Sequence, residues 1–275
     1  MTALRSPHIN VMMRAAEKAA RVLRRDFGEV EQLQVSRKGP ADFVSAADLR
    51  ADHILREELQ KARPGYGMVS EEQDEDVPGD GIHRWVVDPL DGTTNFLHGI
   101  PHWAISIGLV REEEAVAGVV YDPVKDELFW AEKGQGAWLN DRRLRVSGRR
   151  RLDEALLATG LAFKGHDKGE SFLAAIDRAM SETAGVRRFG SAALDLAYVA
   201  AGRYEGFWER NLGPWDVAAG IVLVREAGGF VSEIEGAGRP ESGRSVLAAN
   251  DLLHRPLQRL LGHGRAERPG PMRRP

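Results

Sequence analysis

The chain has 275 residues, 43% hydrophobic and 29% charged, which suits one large core or two joined lobes and excludes a disordered or fibrous protein. Its 38 lysines and arginines against 41 aspartates and glutamates give a formal net charge of -3, so no global attraction for nucleic acid is expected. With no cysteine, disulfides, thiolate catalysis and sulfur-ligated metals are excluded, and any metal must be held by oxygen or histidine.

Ile9, Met12, Met13, Ala16, Ala20 and Leu23 recur at helical spacing and predict an amphipathic helix that ends near Gly28. Arg14, Glu17 and Lys18 interrupt the apolar residues there, which argues against a signal peptide. No run approaches membrane-helix length, the most apolar stretches such as Ala104 to Val110 being strand-sized. A cytoplasmic address and no membrane contact are therefore expected. Arg37 to Asp42 reads as a loop or tight turn. A second helix is expected from near Ser45, where Ser45-Ala-Ala-Asp48 resembles a capping box, to about Ala62.

Short strands follow at Met68-Val69, Arg84 to Val87, Trp103 to Val110, Ala115 to Tyr121 and Glu127 to Ala131. Their apolar and polar positions alternate imperfectly, as in strands covered on both faces. Gly134-Gln-Gly136 and Asn140-Asp141 supply turns, with Leu144 and Val146 expected on a returning strand. From Leu156 helices and strands alternate more regularly: helices at Ser171 to Thr183, Ser191 to Ala201, Trp215 to Ala227 and Asp251 to Leu261, and strands at Leu156 to Thr159, Val186 to Phe189, Tyr204 to Trp208, Phe230-Val231 and Val246 to Ala249. The first half therefore reads as α+β and the second as α/β. The expected division is an N-terminal lobe over 1–150 carrying the main acidic motif, a C-terminal lobe over 151–262, and a flexible Gly-, Pro- and Arg-rich tail over 263–275.

Three acidic spots stand out: Glu71-Glu72 after a strand, Asp88-Pro-Leu-Asp91-Gly-Thr-Thr-Asn95 after a strand, and Trp215-Asp216 opening a helix. Strand ends and helix starts are where α/β proteins place their sites. Pro89 bars a regular strand past Asp88, so the chain must turn there and can aim Asp88 and Asp91 at one point. Gly92 admits close backbone approach, and Gly92-Thr93-Thr94 offers successive N–H groups at an incipient helix start, a cradle for phosphate. Two carboxylates beside such a cradle would repel the anion; a hard divalent cation such as Mg²⁺ resolves the conflict, which implies metal-assisted phosphoryl chemistry. Taken singly, the acidic pair is an ordinary solvated loop and Asp216 an ordinary N-cap or first-turn acid. Their combination shifts the reading.

Those motifs, with Lys38 to Asp48, Gly190-Ser-Ala-Ala-Leu-Asp195, Pro214 to Gly220 and Arg225-Glu-Ala-Gly-Gly229, resemble the inositol monophosphatase family over nearly the whole chain. The resemblance implies a five-layer α/β/α/β/α sandwich, a homodimer, lithium sensitivity and two to three Mg²⁺ ions. It implies that Glu71, Asp88, the Leu90 carbonyl and the Thr93 hydroxyl surround a first metal, and that Asp88, Asp91 and Asp216 hold a second. A third, weaker ion would lean on Glu71. Gly92, Thr93 and Thr94 would hold the phosphate, while Gly190, Ser191, Ala192 and Glu209 would line the polyol pocket with Asp91 and Asp216. Hydrolysis by a metal-activated water fits, with Glu71 and Thr93 placed to orient and deprotonate it and Asp91 completing the catalytic set, in preference to an Asp88 phosphoenzyme.

Two departures from that pattern are visible. Gln73 stands where many relatives carry serine, and Arg210-Asn-Leu-Gly213 falls in a stretch that varies in the family.

The expected function is hydrolysis of a small polyol or sugar phosphate, inositol 1-phosphate foremost. The alternatives are a fructose-1,6-bisphosphatase-like, histidinol-phosphate or nucleotide-phosphate hydrolase and, from another class, a regulatory partner of the transcription machinery. His98 and His102 read as loop or pocket-rim residues rather than ligands. Trp85, Trp103, Trp130 and Trp138 read as core or sheet-face packing, and Arg149-Arg-Arg151 as a solvated connection between lobes.

Overall fold

Ser6 starts the first helix, α1 (Pro7–Phe27), by accepting the Ile9 amide on its hydroxyl, and Pro7 fills a first-turn position that needs no donor. The structure, a computed structural model, describes residues 5–29, 35–39, 42–73, 76–161, 170–236 and 238–262. Strands β1 (Val35–Gly39) and β2 (Asp42–Ser45) form a small antiparallel hairpin. The segment expected to be a loop is thus largely strand: Arg37 to Gly39 and Asp42 belong to two paired extended runs, which the Gly-Pro signal concealed. Helix α2 (Ala46–Ala62) follows and packs along α1.

Strands β3 (Gly67–Ser70), β4 (His83–Asp91), β5 (Ala104–Arg111), β6 (Glu114–Asp122), β7 (Glu127–Glu132), β8 (Gly136–Leu139) and β9 (Arg142–Arg143) form a seven-stranded sheet in that order. All neighbours are antiparallel except β3 and β4. The short helix α3 (Thr93–Leu97) interrupts the run between β4 and β5. Strand β9 ends before Leu144 and Val146, against expectation; Leu144 bonds back to Ala137, but Val146 already donates to Ala227 in the second half.

The second sheet orders its strands β11 (Gly185–Arg187), β10 (Leu156–Thr159), β12 (Gly206–Arg210), β14 (Ser245–Ala249), β13 (Phe230–Ser232). Helices α5 (Ala192–Ala200) and α6 (Pro214–Glu226) lie between the two sheets; α4 (Glu170–Glu182) and α7 (His254–Gly262) cover the outer face of the second. Adjacent side chains split between the layers. Trp85 and Val87 join the core under α1 and α2, whereas Val86 joins the central core; Phe207 faces α5 and α6, whereas Trp208 faces α4 and α7. The result is a five-layer α/β/α/β/α sandwich.

This layering explains the composition of α5 and α6. Every residue of α5, and every residue of α6 from Val217 to Val224, is buried, as required of a helix enclosed by two sheets. Small residues then decide how closely α6 approaches. A Cβ on Gly108 would fall 2.7 Å from the Ala218 methyl, and one on Gly118 would fall 2.6 Å from the Ala219 carbonyl oxygen. The helix therefore rests directly on the backbone of β5 and β6. The four tryptophans pack as expected, with Trp85, Trp103 and Trp130 buried and Trp138 stacked on Trp130. Arg149-Arg-Arg151 is exposed, Arg149 pairing with Glu205 and Arg151 with Asp153. The 263–275 tail lies outside the described residues, as do the side chains of 35–39 and 42–45.

Candidate active site

Strand β4 continues through Pro89 to Asp91, although a proline there argued for an earlier end. Asp88 pairs with Ser106 and Asp91 with Ala104, so β4 spends three steps where β5 spends two. The extra residue is a bulge, and a bulge is where a strand can hold a residue that lacks a ladder donor. Its consequence is to bring Asp88 and Asp91 to bear on one region rather than on successive positions of a regular pleat. Both are buried, and the Leu90 amide donates to Asp88 Oδ1 at 2.9 Å.

Gly92 follows with φ 95°, a left-handed conformation in which a side chain would also press on the His102 and Gly190 carbonyls at 3.1 and 3.3 Å. The chain then enters α3. The Thr93 hydroxyl lies 3.0 Å from the Leu90 carbonyl and 3.1 Å from Asp48 Oδ1, so its one proton is shared between two acceptors. Asn95 closes the motif by donating to the His102 carbonyl at 2.8 Å and the Phe189 carbonyl at 2.7 Å, which ties it to the segment leading into Gly190.

Asp216 arrives from the other half. Gly213 is the N-cap of α6, and Asp216 is a first-turn acid that accepts the Gly213 amide at 2.7 Å. Ser106, the cross-strand partner of Asp88, donates to the Trp215 carbonyl at 3.1 Å and so fixes Asp216 opposite Asp88. Asp91 is held from the same side: its Oδ2 accepts the Ser191 hydroxyl at 2.6 Å and the Ala193 amide at 2.7 Å, and the Ala192 amide also bonds to it. Carboxyl oxygens of Asp88, Asp91 and Asp216 thus lie within 4.8 Å of one another. Glu71 joins them, its amide continuing the ladder to Val87 at 3.1 Å and its side chain hydrogen-bonded to Asp88.

The electrostatics of this convergence are one-sided. Burial, then Glu71, Asp91 and Asp216, raise the Asp88 carboxyl well above the carboxylate range. Burial brings Asp91 up to about 6 against the pull of the Ser191 hydroxyl and the Ala193 and Ala192 amides. Burial and the Asp91 charge bring Asp216 up to about 8, with the Gly213 amide opposing. Two carboxyls can share a hydrogen bond only if one is protonated, and Asp88 makes such bonds with Glu71 and with Asp216. A divalent cation held by these carboxylates would take the place of those protons and relieve the repulsion. The donor set is all oxygen, which fits Mg²⁺ or a similar hard ion. The residues present fit the group. His98 caps α3, and His102 is half-buried with its imidazole lowered to about 4 by that burial; neither belongs to the cluster.

Glu209 stands at the end of β12, raised to about 8 by burial and the Asp91 charge, with Arg188 opposing. A Cβ on Gly160 would sit 1.6 Å from Glu209 Oε1, so the carboxylate occupies space that only glycine leaves. Thr94 is exposed on the first turn of α3, and Gly190 follows the Phe189 carbonyl that Asn95 holds. The structure adds residues that the sequence reading passed over. Asp48 had been taken for a capping acid, yet it is buried against Thr93. Asp195 is buried in the first turn of α5, raised by burial and by the Glu209 and Asp91 charges. Its place four residues after Ser191, on one helix face, was the available signal.

Comparison with known proteins agrees with this geometry. An inositol monophosphatase family model matches residues 4–266. The chain is 54% identical to a Rhizobium meliloti inositol-1-monophosphatase over 257 residues, covering 94% of this chain and 97% of that protein. It is 44% identical to the Nus factor SuhB of Salmonella typhimurium over 244 residues, covering 89% and 91% respectively. The crystal structure of the extragenic suppressor protein suhB from Bartonella henselae superposes with a TM-score of 0.91 at 54% identity, covering 94% of this chain and all of that one. A bulged Asp88–Asp91 strand, a Thr93–Asp48 pair and an Asp216 delivered by the central helix, in a chain matched almost end to end, place the protein in the inositol monophosphatase family.

Proposed function

We propose that the chain hydrolyses the phosphate monoester of a small polyol, inositol 1-phosphate foremost, with Mg²⁺ as cofactor. One observation carries the reading: three carboxylates from two halves of the fold, Asp88 and Asp91 buried and Asp216 partly so, converge within 4.8 Å, beside a threonine hydroxyl that is itself bonded to a buried aspartate. Asp88, central to the cluster, would be shared between two ions, with Glu71, Thr93 and the Leu90 carbonyl toward one and Asp91 and Asp216 toward the other. Bound there, Mg²⁺ would neutralise charge on the phosphoryl group and lower the pKa of a water molecule.

The chain's own groups do the rest. The Thr93 hydroxyl would take a proton from the attacking water as its own passes to the Asp48 carboxylate that it already faces, and Glu71, bonded to Asp88, would offer a second acceptor. The first N–H groups of α3, at Gly92, Thr93 and Thr94, have no intrahelical partner and suit the phosphoryl oxygens. Gly190, Ser191 and Ala192 border the same space, and Glu209, on the side of the second sheet, suits the hydroxyls of the alcohol.

The test is phosphate release from inositol 1-phosphate, fructose 1,6-bisphosphate, histidinol phosphate and nucleoside monophosphates, measured side by side with Mg²⁺. Preference for inositol 1-phosphate is expected. A preference of about tenfold for another ester would move the substrate assignment. No metal-dependent release from any of them would end the enzymatic reading.

A further inference from the structure

Asp52 lies one turn beyond Asp48 on the same face of α2 and is buried. Its two oxygens are used separately: Oδ1 accepts the Ser70 hydroxyl at 2.5 Å, and Oδ2 accepts the Gln73 side-chain amide at 2.6 Å. Ser70 and Gln73 are the residues on either side of Glu71-Glu72. One carboxylate therefore clasps both ends of the turn that carries Glu71. The backbone closes the same turn, Gln73 N donating to the Ser70 carbonyl at 3.3 Å. Arg56, a further turn along α2, stands 3.8 Å from Asp52 and compensates its buried charge.

Residues four apart share a helix face. Through Asp48 and Asp52, α2 thus holds two separate pieces of the site from one side: Thr93 and the Glu71 turn. We infer that Asp52 is a positioning residue: by clasping Ser70 and Gln73 it sets the Glu71 carboxylate against Asp88 and so sets how tightly the site takes its first cation. The inference rests on the reading of Glu71 as a cation ligand. A glutamate on an untethered surface turn would lose side-chain and backbone freedom on binding, and a turn fixed beforehand avoids that loss. Gln73 is suited to the task because its side chain is long enough to reach back to α2.

The test is Mg²⁺ titration by calorimetry, with turnover at saturating Mg²⁺ measured in parallel. Asp52→Ala removes both bonds and is expected to weaken Mg²⁺ binding about tenfold. Gln73→Ala removes one bond at an exposed residue, leaves the fold intact, and is expected to weaken binding about threefold. Asp52→Asn still accepts from Ser70 and can donate to a flipped Gln73 amide, so it should bind Mg²⁺ nearly as wild type does. All three should turn over within about threefold of wild type once Mg²⁺ saturates.

Unchanged Mg²⁺ affinity in Gln73→Ala would overturn the inference even if Asp52→Ala fails to fold. A loss confined to turnover at saturating Mg²⁺, or an Asp52→Asn as weak as Asp52→Ala, would also overturn it. If wild type itself neither binds Mg²⁺ nor releases phosphate, the reading of the site fails instead, and the two failures are distinct.

Discussion

The two halves of the molecule contribute to the site by different means. The first half supplies Asp88 and Asp91 from one bulged strand, Glu71 from the end of its neighbour and Thr93 from the start of α3, set by backbone pairing in one sheet and by the side chains of α2. The second supplies Asp216 and Ser191 from the N-terminal ends of two buried helices, and Glu209 from a strand of the other sheet. One half builds an acidic centre through local chain geometry; the other completes it through tertiary packing, above all the seating of α6 on Gly108 and Gly118. The first half should therefore govern cation and phosphate, and the second the alcohol and the closure of the cage.

That division can be broken by substitution. Asp91→Asn, at the meeting point of the halves, should lower phosphate release by about three orders of magnitude, whereas a protein acting only as a scaffold would be indifferent. Thr93→Ala, with Asp48→Asn beside it, should cost about a hundredfold in turnover with the Mg²⁺ requirement kept. Glu209→Gln should change the ranking of alcohols, by about tenfold in kcat/KM for the preferred ester, with little change in Mg²⁺ affinity. If it weakens Mg²⁺ binding as strongly as it alters substrate preference, the two sides of the site are not separable.

The pH dependence sharpens the same point. Without a cation Asp91 is raised to about 6, and Asp216 and Glu209 to about 8, from ordinary values near 4. The folded chain then holds protons that the unfolded chain has released, so stability present at low pH is lost as pH rises from about 4 through about 8. In EDTA the Tm should fall across that interval. Mg²⁺ should restore it most at the alkaline end, because the cation displaces those protons. A Tm in EDTA that rises from about pH 5 to about pH 8 would contradict the protonated, acidic centre.

Gly118→Ala, which presses a methyl on the Ala219 backbone, should cost about 1–3 kcal/mol of stability by lifting α6. A denaturant titration measures this.

The same contrast explains what the sequence made legible. The Asp88 to Asn95 motif is contiguous, and its residue types state their chemistry at fixed spacing, so the metal and phosphate side could be read directly. The helices of both halves were also legible, α1 for instance from the helical spacing of its apolar residues. Pro89 misled because a bulge lets a strand carry a proline, and a bulge is defined by the partner strand rather than by its own residues. Asp48 was hidden by a second plausible use as a capping acid. Gly160 and Asp52 act through neighbours distant in the chain, Glu209 for Gly160 and Ser70 and Gln73 for Asp52, and no local pattern marks them. The paired strands Val35–Gly39 and Asp42–Ser45 were missed because a Gly-Pro pair signals a turn but not the strands on either side.

The acidic cluster of Asp88, Asp91 and Asp216 is proposed as a cation site serving phosphate-ester hydrolysis. It is tested most directly by stripping the protein with EDTA, assaying inositol 1-phosphate, and restoring Mg²⁺ stepwise to wild type and Asp216→Asn. No release is expected without the ion, full recovery in wild type on restoring it, and recovery in Asp216→Asn only at much higher Mg²⁺ and to a lower plateau. Release that persists in EDTA, or an Asp216→Asn that recovers as wild type does, would contradict it.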